Sequence, residues 1–160
     1  DRSHNANSVI LLFEYGEFQF LDAADLSWNL EERLVSPYNL IGEVDVYQVD
    51  HHGLDRSNNT HFIHSIKPTV AVMNNAHRKG TGPQTVAGLR SSPGMEAIYQ
   101  VHKCTREGED HLNTEEDKIA NLKSGDECDA NHLFISVAEN GESYSVKVPR
   151  SGHVGTYKTR

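Results

Sequence analysis

The sequence predicts an α/β fold in which helices flank one β-sheet, and three observations carry that expectation. Short apolar runs rich in β-branched and aromatic residues alternate with segments whose apolar residues recur at helical spacing. A Tyr-Gly pair joins the first two runs as a hairpin would. The chain of 160 residues, 36% hydrophobic, is long enough for one core and short for two, so residues 1–160 read as a single domain.

The elements follow in order. "SVILLFEY", Ser8 to Tyr15, is a continuous apolar run expected of a strand covered on both faces, and Gly16 turns it into "EFQFL". Ser27 to Val35 places Trp28, Leu30 and Leu34 at helical spacings before Pro37 stops it. Val44 to Val49 reads as a strand, Thr60 to Ile66 as a short helix and Thr69 to Met73 as a buried strand. "NNAHRKGTGP", Asn74 to Pro83, has loop chemistry; a helix over Gln84 to Arg90 and a strand over Glu96 to His102 follow. The charged stretch at about 103–131 is expected as a long surface insertion, and 132–148 as a hairpin around Asn140-Gly141.

Charge narrows the function. A net charge of −8 and a pI near 5.6 argue against a nucleic-acid or anionic-membrane surface. No apolar stretch approaches the ~20 residues that span a bilayer. Cys104 and Cys128 flank the most polar part of the chain; they are either a disulfide, which would fit a periplasmic or secreted protein, or two free thiols.

The residues with chemistry gather where strands end. Asp25 follows the strand ending at Leu21; Asp50, His51 and His52 follow the one ending at Val49. In an α/β fold the carboxyl ends of strands face one crevice, and carboxylate plus imidazole suits zinc, manganese or iron. Taken singly, these residues also read as a polar loop and a helix-capping or turn aspartate.

Their order changes that balance. From Asn5 to about Tyr99 the chain resembles the C-terminal half of the metallo-β-lactamase fold, in its ComEC-like branch. The motifs are Asn5-x-x-Ser8, Tyr15-Gly16, Ala24-Asp25, Glu32 to Leu34, "DVYQVDHHGLDRS" from Asp45 to Ser57, Pro68 to Val72, and Gly82-Pro83. The resemblance implies half of an αββα sandwich and a metal-dependent hydrolase with a binuclear centre, acting on small-molecule or phosphoester substrates. Asp25 matches the bridging carboxylate, with Ala24 where the family has glycine. One of His51 and His52 matches a histidine ligand of the second metal, His51 being favoured and His52 then a neighbour or substrate contact. Asp50 would either orient an imidazole or be solvated, and His77, Arg78 and Lys79 would face substrate or simply be solvated.

The family's His-x-His-x-Asp-His motif does not occur in these 160 residues. The resemblance therefore implies an incomplete site, with the N-terminal half of the same fold or a second copy of the chain as partner. The alternative is a non-catalytic structural or partner-binding fragment.

Overall fold

The computed structural model describes residues 3–160. It is mixed α/β, with a six-stranded sheet, a three-stranded sheet and three α-helices. β1 (Leu11–Tyr15) and β2 (Phe18–Asp22) form the expected antiparallel hairpin; β3 (Val46–Gln48), β4 (Val70–Met73), β5 (Ala97–His102) and β6 (Ile119–Asn121) then add in parallel, giving the order β1-β2-β3-β4-β5-β6. The crossovers carry α1 (Trp28–Val35), α2 (Thr60–Ile66) and α3 (Pro83–Arg90). Strands that always advance the same way through crossovers of one hand put their helices on one face.

Side-chain alternation sorts the core accordingly. Tyr47, Val49, Ala71 and Met73 point to the helical side, where Phe62, Ile63 and Ile66 of α2 and Val86 and Leu89 of α3 cover them. Val46, Val70, Val72 and Tyr99 point the other way, onto Tyr144, Val146, Val148 and Tyr157 of a second, antiparallel sheet: β7 (Phe134–Val137), β8 (Ser143–Val148) and β9 (His153–Lys158). The single sheet expected from sequence is therefore two, and the C-terminal hairpin is a three-stranded meander.

Two further expectations are corrected. The polar stretch 103–131 is not all surface loop, because Ile119 and Ala120 in β6 are fully buried and pair with β5. Nor is β1 covered: all five of its residues are exposed, at the free edge of the sheet. Among the described residues no helix is long and apolar enough to cross a membrane.

Candidate functional site

The carboxyl ends of β2 and β3 are tied together by main chain. Asp22 accepts from the Ala24 amide at 2.9 Å, and the Ala24 carbonyl accepts from the His51 amide at 2.8 Å, which sets the 24–25 turn above the "HHG" loop. Ala24 (φ 53°), His51 (φ 50°) and His52 (φ 61°) all lie in the left-handed region. Each costs roughly 1–2 kcal/mol in a residue with a Cβ, so surrounding structure must hold them there.

The restraint comes from buried polar groups. Tyr47 accepts from the Asp50 amide (3.1 Å) and donates to Asn58 Oδ1 (2.7 Å), while Asn58 Nδ2 donates to the Asp50 carbonyl at 2.9 Å. The Glu31 carboxylate, reaching across from α1, accepts from the Asn58 and Asn59 amides at 2.6 and 2.7 Å. Trp28 Nε1 donates to the Ser57 carbonyl at 2.7 Å.

So held, the loop aims both imidazoles at one carboxylate. His51 Nε2 stands 3.7 Å from Asp25 Oδ2, and His52 Nε2 stands 3.9 Å from Asp25 Oδ1. Both histidines, not one, face Asp25. His52 Nδ1 lies 2.9 Å from the Asn74 carbonyl, which can only accept, so the proton is on Nδ1 and the lone pair on Nε2. His51 Nδ1 has the Ser57 hydroxyl at 3.2 Å as its partner. Burial holds the His51 imidazole below the usual histidine range; Asp25 opposes this, and the positive charge of Arg56 and Lys79 adds to it. A neutral imidazole results, as a metal ligand requires.

Each imidazole faces its own Asp25 oxygen, but the three donors are not gathered within 4.8 Å of one another as those of a single-ion site would be. Their N···O separations are too long for hydrogen bonds and close to the roughly 3.4 Å between neighbouring ligands of a tetrahedral site. His51 is buried, while Asp25 and His52 are each more than a third exposed, so the group opens to solvent on one side.

Asp50 does not orient either imidazole; those tasks fall to Ser57 and Asn74. Nor is it solvated: it is 1% exposed and neither carboxyl oxygen has a hydrogen-bond partner. Burial, then the charge of Glu31, hold it well above the usual carboxylate range. Glu31 is itself pushed up to about 6, chiefly by burial, against its two amide donors. An acid whose folded pKa lies above its unfolded value binds more protons when folded, so its stabilising contribution is lost as pH rises. Between about pH 4.5 and 6 the Glu31 carboxyl should therefore withdraw on the order of 2 kcal/mol. Urea unfolding of wild type and Glu31→Gln across that window should show a falling stability in the first and a flatter profile in the second. Parallel profiles would remove Glu31 as the source.

The expected substrate-side loop divides. Arg78 and Lys79 are exposed, and Lys79 is close enough to act on His51. His77 turns away to pack on His102, ring centroids 4.5 Å apart, with Nδ1 bonded to the Lys103 carbonyl at 3.0 Å. Cys104 and Cys128 are free thiols rather than a disulfide. Cys128 instead joins His77 and His102, one donor atom of each lying within 4.8 Å of the others. Sequence reasoning missed His102 and Cys128 as donors: His102 ends a strand just as Asp25 and His51 follow theirs, a regularity that could have singled it out, whereas nothing in the sequence marks Cys128 as a ligand.

No protein-family model and no curated protein matches the chain.

Proposed function

We propose that the chain is the C-terminal portion of a metal-dependent hydrolase of the metallo-β-lactamase superfamily, in which Asp25, His51 and His52 hold metal and the substrate is a phosphoester. The observation that carries this reading is the pairing of one Asp25 oxygen with each imidazole, His51 on Oδ2 and His52 on Oδ1. A carboxylate used at both oxygens is what a bridging ligand of a binuclear centre requires. When bound, such a centre supplies Lewis acidity toward the scissile group.

The chain's own residues do the rest. Ser57 and Asn74 fix the two rings, the bond from the His51 amide to the Ala24 carbonyl fixes the turn that carries Asp25, and Lys79 and Arg56 bring positive charge beside His51. That charge favours an anionic substrate over a neutral one. Three donors leave room for more ligands, and the N-terminal half of the fold is the proposed source. It would dock against the exposed β1 edge.

The test is a manganese titration of the chain followed by electron paramagnetic resonance, because a hard ion favours carboxylate and imidazole over thiolate. Bound manganese that is lost in Asp25→Ala supports the reading. Manganese bound equally by both proteins would overturn it.

A further inference from the structure

Every parallel strand of the six-stranded sheet delivers a donor at its carboxyl end. β2 and β3 give Asp25, His51 and His52; β4 leads to His77, β5 ends at His102, and the loop after β6 carries Cys128. We propose that His77, His102 and Cys128 form a second metal site, for a borderline-soft ion such as zinc, separate from the carboxylate group at Asp25.

The donor set fits that ion. Two imidazoles and a thiolate are zinc ligands, and three protein ligands leave a fourth position open. The three donor atoms lie within 4.8 Å of one another, whereas ligands sharing a zinc ion sit about 3.5 Å apart. Closing the site therefore needs an inward shift of no more than about 1.3 Å, which a loop can supply.

The site is also built. His77 Nε2 and His102 Nδ1 are buried side-chain atoms with no hydrogen-bond partner. A buried, unbonded nitrogen is costly unless something takes up its bonding capacity. The other nitrogen of His77 faces the Lys103 carbonyl, which places its proton on Nδ1 and leaves the Nε2 lone pair for a ligand role. His102 is gripped at its backbone by Asn75, which accepts from its amide at 3.2 Å and donates to its carbonyl at 2.6 Å.

Cys128 is delivered by a clamp. Asn121 pairs with His102 across β5 and β6, and its side chain accepts from the Asn131 amide at 2.7 Å and donates to the Asn131 carbonyl at 2.9 Å. The segment 122–131 is thereby closed into a loop that returns the thiol to the strand ends. Asp126, Glu127 and Asp129 beside it add negative potential that attracts a cation. On binding, the Cys128 thiol gives up its proton to solvent and its sulfur forms the bond to the metal.

Cobalt(II) titration of the intact, reduced chain tests this. The expected result is a near-ultraviolet thiolate-to-cobalt absorption that zinc abolishes by displacement. Cys128→Ser should remove the band, and His77→Ala or His102→Ala should weaken cobalt binding by at least about 100-fold, since losing a ligand exceeds losing the group behind one. Cys104→Ser and Asp25→Ala should leave it, so this site and the manganese site fail independently. Zinc should also protect Cys128 of the wild type from alkylation, which needs no variant to fold. A wild type without the band, a band that survives Cys128→Ser, or equal alkylation with and without zinc would each overturn the proposal.

Discussion

Asp25→Ala should weaken manganese binding at the His51 and His52 group by at least about 100-fold, roughly 2.8 kcal/mol, while changing stability by no more than about 1 kcal/mol. The asymmetry follows from position. Asp25 is 39% exposed, so truncation opens no cavity, yet it is the carboxylate that both imidazoles face. Its removal leaves two imidazole nitrogens with no carboxylate between them. Asp50→Asn provides the contrast: that carboxyl is buried against Glu31 and bonded to neither ring, so manganese affinity should stay near the wild-type value while stability shifts. Calorimetric titration of wild type and both variants measures each. If Asp50→Asn impaired binding as much as Asp25→Ala, the two carboxyls would have been assigned the wrong tasks.

Gly80→Ala should cost at least about 4 kcal/mol, a large part of the 5–15 kcal/mol that stabilises a typical domain. Gly80 has φ 86°, and a Cβ there would lie 1.8 Å from the His52 carbonyl oxygen and 2.8 Å from its carbonyl carbon. Both are backbone atoms, so no rotamer change relieves the overlap. Retreat is blocked on the other side too, since Arg106 holds the Gly80 and Thr81 carbonyls at 2.7 and 2.9 Å. Either the 74–82 loop lifts away, taking Asn74 from His52 Nδ1, or the strained His52 peptide turns. A urea midpoint close to wild type would show that His52 does not rest on Gly80.

The parts legible in the sequence were those where local preference and tertiary setting agree. α2 falls on the expected Thr60–Ile66, and β4, α3 and β5 match within a residue, because apolar spacing, Pro68, Pro83 and the flanking turn residues all indicate the same boundaries. β6 was hidden because its apolar residues Ile119 and Ala120 belong to a short run interrupted by Asn121 and flanked by Lys118 and Lys123, and pairing with β5 makes the strand. β9 was hidden by Gly155, which weakens any strand pattern. Yet a Cβ there would lie 2.3 Å from the Tyr99 hydroxyl, which bonds Tyr157 at 2.7 Å and His153 at 3.1 Å to join the two sheets. Asp25 and the adjacent histidines stood out as polar residues at strand ends. The network that holds them did not, since Glu31 and Asn58 read as helix-surface and loop residues until the fold buries them.

The open β1 edge gives the chain a particular response to ionic strength. Val9 and Ile10 just before β1, and Leu11, Leu12, Phe13 and Tyr15 within it, are 37–69% exposed at an edge whose outer side pairs with no other strand among the described residues. Copies bearing a net charge of −8 repel over about 10 Å at 0.1 M salt but only about 3 Å at 1 M, whereas the apolar attraction between two such edges acts at contact. Sulfate strengthens that attraction further by its exclusion from apolar surface. Association should therefore rise with added sulfate, and light scattering should show a dimer or larger species that Phe13→Lys shifts back toward monomer. A complex held by charge would respond the other way, dissociating as the salt screens it.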